Sequence, residues 1–135
     1  MSIEIPYQRW LDGIKRPIID VELKLPNNKL HRTIALVDSG ADSCVFDIEI
    51  FEVLGVNINE YPTRRSIAAG GNRFRSVEIP VTIKFNNAEI EARANCCSFK
   101  DEDGNFIGMN LLGRNDLFKH FKITFDEKKK LMIFE

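Results

Sequence analysis

The octapeptide Leu36-Val37-Asp38-Ser39-Gly40-Ala41-Asp42-Ser43 constrains this chain more than any other stretch. The apolar run Ile34 to Val37 reads as the end of a buried strand, and it delivers a carboxylate to its own terminus. Ser39 and Gly40 then turn the chain sharply. A carboxylate so close to an apolar strand is costly unless it is hydrogen-bonded or shares a proton. An ordinary Asp-Ser-Gly turn fits the same residues, so the octapeptide alone leaves a structural turn and a chemical site both open.

Further on, Asn110-Leu111-Leu112-Gly113-Arg114-Asn115 reads as a second apolar strand, broken by Gly and followed by a short helix. With both segments present in this order, the sequence resembles the retropepsins, the dimeric aspartic proteases of retroviruses and their cellular relatives. The resemblance runs from about Pro17 to Phe134. It implies a retropepsin-like domain over 17–135 preceded by an N-terminal arm over 1–16.

The resemblance implies a chemistry. Amide hydrolysis by carboxylates needs one ionised and one protonated acid around a water molecule. Two carboxyls held close together cannot both ionise, and aspartic proteases are the standard instance. One chain of this length supplies one Asp-Ser-Gly, so the second acid must come from another copy across a two-fold axis. The implied catalytic set is Asp38, Ser39 and Gly40. The Ser39 hydroxyl would tie the two loops together across the dimer, and the Gly40 carbonyl would accept a hydrogen bond from substrate. Ala41 and Asp42 would line the substrate site. Arg114 would reach back to Asp42 and fix the loop, a partly buried pair whose disruption costs ~3–5 kcal/mol. Gly113 would allow the second strand to pack closely beneath the loop. The small-residue tip Ala69-Gly70-Gly71 resembles the retropepsin flap, which closes over bound peptide. Arg64, Arg65, Arg73 and Arg75 flank that tip, either as a solvated face or as a preference for acidic peptides.

The rest of the chain supports a mainly β fold. Ile19, Val21, Leu23 and Leu25 alternate with Asp20, Glu22 and Lys24, which predicts a half-buried strand over 18–25. Pro26 to Lys29 is a turn, and the strand 30–37 completes a hairpin. Asp47 caps a helix running to about Leu54, with Glu49 in its first turn and Gly55 closing it. Residues 56–64 read as a loop or a short strand. A long hairpin spans 66–85, its second arm alternating through Val77, Ile79, Val81, Ile83 and Phe85; Pro80 there requires an edge or a bulge. After Asn86-Asn87 a strand alternates through Ala88, Ile90, Ala92 and Ala94. Lys100 to Asn105 is a polar loop. A short helix starts near Arg114, with Leu117, Phe118 and Phe121 on one face. Residues 121–125 and 131–134 form a closing hairpin. Residues 1–16 show no clean period, with Trp10 and Leu11 as the expected anchor of the arm. The predicted class is a closed or nearly closed acid-protease barrel with two short helices and one active-site half per chain.

That closing hairpin departs from the viral enzymes, which end soon after the helix in a short dimerising strand. In this respect the chain is closer to cellular and prokaryotic relatives. The apolar strand Leu131-Met132-Ile133-Phe134 serves equally well as a core strand or as part of a dimer interface.

Composition narrows the function. The 135 residues form one domain, 44% hydrophobic and 29% charged, with a net charge of −1. No global field therefore favours nucleic acid or an anionic membrane. No apolar run approaches a membrane span, and Met1 to Trp10 lacks a basic-then-apolar signal, which predicts a cytoplasmic location. The cysteines are Cys44, Cys96 and Cys97; the adjacent pair has poor geometry for a bridge, so reduced, packed thiols are expected. His31 and His120 are far apart and offer no metal spacing. No metal or cofactor is expected. The sequence thus predicts a cytoplasmic homodimeric aspartic endopeptidase acting on a peptide or protein. The alternative is a dimeric peptide-binding or scaffold module of the same fold with little proteolysis.

Overall fold

The computed structural model describes residues 2–67, 70–71, 73–105 and 108–135. Its largest sheet closes on itself. The strands β4 (Ile18–Lys24) and β5 (Leu30–Val37) form the predicted hairpin. The sheet continues through β10 (Leu111–Leu112), β6 (Val45–Asp47), β9 (Ala88–Cys97) and β8 (Arg73–Phe85). β8 then pairs back to β4, with Leu23 opposite Ile83, which completes the ring. β7 (Thr63–Ile67) lies outside the ring and pairs only with the far end of β8. Two of the pairings, β10 with β5 and β6 with β9, are parallel. Among the described residues, no helix is long and apolar enough to cross a membrane.

Alternation along these strands fills the ring. Ile19, Val21 and Leu23 of β4 meet Ile79, Val81, Ile83 and Phe85 of β8 in one core, with Phe46, Phe51, Leu112 and Leu117. Turn chemistry joins the arms. Asn28 and Asn86 take positive φ at the two hairpin bends, a conformation Asn tolerates better than most residues. Pro80 stands opposite Arg93 of β9, and on its other side it falls between the stretch paired to β7 and the stretch paired to β4. The missing N–H there breaks no ladder.

The helix α1 (Ile48–Val53) begins as its sequence requires. The Asp47 side chain accepts a hydrogen bond from the Glu49 N–H at 3.2 Å, and Gly55 follows the end with φ +86°. A single 3-10 turn over Ile58–Glu60 leads into β7.

The two chain ends meet in a second sheet. β12 (Leu131–Phe134) lies between β1 (Ile3–Pro6) and β11 (Ile123–Asp126), antiparallel to both. Met132 and Phe134 are fully buried. Phe134 packs against Phe85 of the ring at 4.9 Å and edge-on against Phe121 at 5.8 Å, which fastens this sheet to the barrel. The terminal strand is thus a core strand of this chain, with both ladder edges occupied. The N-terminal segment also differs from its sequence reading. Tyr7, not Leu11, is buried; Leu11 is 82% exposed at the tip of a small hairpin formed by β2 (Gln8–Arg9) and β3 (Lys15–Arg16). The arm is anchored instead by Ile3 and Ile5, which pack on the core from β1.

Candidate active site

Asp38 follows directly on β5. Its backbone N–H donates to the Leu112 carbonyl at 2.9 Å, so the neighbouring strand β10 fixes where the acid leaves the sheet. Its Oδ1 accepts from the Gly40 N–H at 2.8 Å, and the Ala41 N–H returns to the Asp38 carbonyl at 3.2 Å. The result is a tight Asx turn with the carboxyl half-buried and Ser39 and Gly40 exposed. A Cβ on Gly40 would lie 3.1 Å from Asp38 Oδ1, a tight contact that requires the carboxyl to give by a few tenths of an ångström.

The helical turn that follows β10 locks the other half of the loop. The Arg114 N–H donates to the Ala41 carbonyl at 2.9 Å and the Asn115 N–H to the Asp42 carbonyl at 2.8 Å. The start of the helical turn Arg114–Phe118 is therefore docked backbone to backbone on the loop. Gly113 makes this approach possible. A Cβ there would meet the Ala41 carbonyl oxygen at 2.7 Å and the Ser43 nitrogen at 2.8 Å, both main-chain atoms that cannot swing away. Arg114 Nη2 also pairs with Asp42 Oδ1, as the sequence suggests. The two side chains are 61% and 78% exposed, however, so this is a solvated pair of small worth and not the partly buried one expected.

Asp38, Gly40, Ala41 and Asp42 line a cleft of about 610 Å³. Val45 and Leu111 add apolar surface next to them, and Asn95 a polar group. Arg65, Ile67 and Phe74 of the β7–β8 hairpin line the same cleft. Gly70 and Gly71 stand at the hairpin tip with open space around them, and Gly71 adopts φ +83°. Ala69 lies outside the described residues. The structure therefore gathers the acid loop, Gly113 and Arg114 into one assembly, and the hairpin carrying Gly70 and Gly71 lines the same cleft.

Two braces escaped the sequence reading. Asn110 lies between strands: its carbonyl accepts from the Leu36 N–H at 2.8 Å, and its Nδ2 donates to the Thr33 hydroxyl and the Ile34 carbonyl at 3.1 and 3.0 Å. A polar residue opening an apolar strand was the available signal. Asp116 is the other. It is 5% exposed, and its Oδ2 has no hydrogen-bond partner. Burial raises its pKa, while the Cys44 thiol and the backbone N–H groups of Cys44 and Gly113 pull it back in part. Cys44 itself is fully buried, and burial followed by the Asp116 charge pushes its pKa well up. It is a packed neutral thiol behind the loop.

This fold is that of the retropepsin-like aspartic proteases. The sequence matches no protein-family model and no curated protein. Among solved structures, a retropepsin-like aspartic protease from Rickettsia conorii superposes with a TM-score of 0.65 at 20% identity, covering 99% of this chain and 91% of that one. The EIAV protease complexed with the inhibitor HBY-793 superposes with a TM-score of 0.50 at 25% identity, over 75% of this chain and 84% of that one.

Proposed function

We propose that this chain is the subunit of a homodimeric aspartic endopeptidase. The observation that carries this reading is Asp38 itself. It is half-buried at the end of a core strand, its main chain fixed by Leu112 and its side chain turned by Gly40, and it opens on a cleft of peptide-binding size. In a two-fold dimer the two Asp38 carboxyls share one proton. The ionised one takes a proton from a water molecule as that water attacks the scissile carbonyl, and the protonated one donates to the carbonyl oxygen. Ser39 links the two loops, the Gly40 carbonyl accepts from the peptide backbone, and Ala41 and Asp42 line the site. Gly113 and Arg114 support the loop. The hairpin carrying Gly70 and Gly71 closes over the peptide as a flap. The proposed cytoplasmic setting is supported by three unpaired cysteines, two of them buried.

Asp38→Asn tests the chemistry, because it removes the ionisable group and nearly keeps the shape. Hydrolysis of a peptide substrate is expected to vanish while sedimentation at micromolar concentration still shows a dimer. Wild-type activity is expected to be bell-shaped in pH, since the pair must carry one proton in total. Full activity in Asp38→Asn would leave the peptide-binding module as the function, and a strict monomer that still cleaves would remove the shared pair.

A further inference from the structure

We infer that the cleft selects peptides with an acidic side chain close to the scissile bond, and that Arg65 reads it; this rests on the peptidase reading of the same cleft. Four arginines stand on the β7–β8 hairpin, but their circumstances differ. Arg64 Nη1 lies 2.6 Å from Glu78 Oε2, and the other oxygen of Glu78 is approached by Arg93 at 3.5 Å. That acid is fully engaged. No acid among the described residues pairs with Arg65, Arg73 or Arg75. The ladder makes this costly, because Arg65 stands directly opposite Arg75, and Arg73, opposite Ile67, is the next residue of β8 on the same face. Like charges facing each other on an antiparallel pair repel.

Of these arginines only Arg65 lines the cleft, which Asp38, Ala41 and Asp42 also line. Asp42 is already engaged by Arg114, and the Asp38 charge belongs to the water it activates. Arg65 is thus the cationic side chain of the cleft with no committed partner among the described residues. Its planar fork of donors matches a carboxylate in two-point contact. A Glu or Asp side chain brought in by a peptide would satisfy it and relieve the repulsion from Arg75. A Lys at the same place would add to that repulsion.

The test uses peptides that share one apolar scissile pair and carry Glu, Gln or Lys at each flanking position in turn. For wild type at low salt, kcat/KM is expected to be roughly fivefold higher for Glu than for Gln at one position, and lowest for Lys. Half-molar salt should shrink that ratio, since screening shortens the reach of the charge. Arg65→Gln should bring the Glu-to-Gln ratio to about one, Arg65→Lys should keep part of it, and Arg32→Gln, outside the cleft, should leave the ratio unchanged. Equal rates for Glu and Gln in wild type, or an intact ratio in Arg65→Gln, would overturn the assignment. Failure of the peptidase reading shows separately, as no cleavage of any peptide. Fluorescence anisotropy of the labelled peptides on the same protein then measures the ratio as affinity, and equal affinities for Glu and Gln peptides would overturn the role of Arg65.

Discussion

At the acid loop, the close main-chain contacts of Gly113 and the solvated Arg114–Asp42 pair lead to different expectations. The arginine's pair with Asp42 is solvated, so Arg114→Ala should cost only ~0–1 kcal/mol in thermal or chemical unfolding. Gly113→Ala forces a methyl group against the Ala41 oxygen and Ser43 nitrogen, and overpacking of this kind costs about 1–3 kcal/mol. Unfolding measured on both variants should therefore rank Gly113→Ala as the worse; the reverse order would mean that the guanidinium, not the backbone contact, fixes the loop. Asp116 gives a second prediction at this scale. Burial raises its folded pKa above the unfolded value, so the folded chain binds this proton more tightly. The stability linked to it is full below the unfolded carboxylate range, near pH ~4, and is lost as pH rises through the folded pKa. The Tm difference between Asp116→Asn and wild type should therefore shift in favour of the variant from pH ~4 to neutral. A difference that stays flat with pH would show that Asp116 titrates as an ordinary carboxyl.

The β7–β8 hairpin shows how one strand serves two purposes. In the ring, β8 buries Ile79, Val81, Ile83 and Phe85 and turns Pro80 outward. Nearer the tip, the opposite set is covered: Ser76 is buried and Phe74 half-buried, while Arg73 and Arg75 are exposed. The register with β7 and β9 runs on without a bulge, so the change comes from where the strand lies and not from a slip. Beyond Val77 the strand has left the core and pairs only with β7, and its other face covers the cleft. If this element closes on a peptide, amide exchange at Gly70 and Gly71 should slow when an inhibitor or uncleaved peptide binds. Exchange unchanged by the ligand would mean that the hairpin is only a cleft wall. The short strand β10 has the opposite character. It is two residues long, yet it joins β5 to β6 and is tied in by Asn110, so the acid loop rests on it from below.

At the scale of the whole molecule, the sheet made by the two chain ends packs on the barrel as part of one core. β12 has no free edge, so the ladder edges of that sheet are those of β1 and β11. Its attachment to the barrel runs through Phe85, Phe121 and Phe134, whose rings meet at 4.9 to 6.0 Å. Phe134→Ala should therefore cost ~3–5 kcal/mol in unfolding, as for other buried aromatic truncations. A cost below about 1 kcal/mol would show that this sheet is not part of the cooperative core. The hydrogen bonds that hold Asp38 in its turn are made within one chain, so a folded monomer obtained by dilution would still present it. Loss of hydrolysis at protein concentrations where sedimentation shows only monomer would then point to the need for a second Asp38.

The local features were legible in the amino-acid order because they depend on near neighbours. Alternation at Ile19 to Leu25 and at Val77 to Phe85, the Asp47 cap, the Gly55 stop and the two motif segments all report which face or turn a residue adopts. They do not report which strand lies alongside. The closure of β8 onto β4, the pairing of Ile3–Pro6 with Leu131–Phe134, and the convergence of Val45, Phe74, Asn95 and Leu111 on one cleft join residues far apart in the chain. A period of two fixes the side of a strand and leaves its partner open. The same holds for charge. Sequence places Asp42 and Arg114 in matching motifs and leaves Asp116 as one acid among many, but only the packed structure decides that the first pair is solvated and the last acid buried. Water access sets the strength of each charge, and that is a property of the assembled surface.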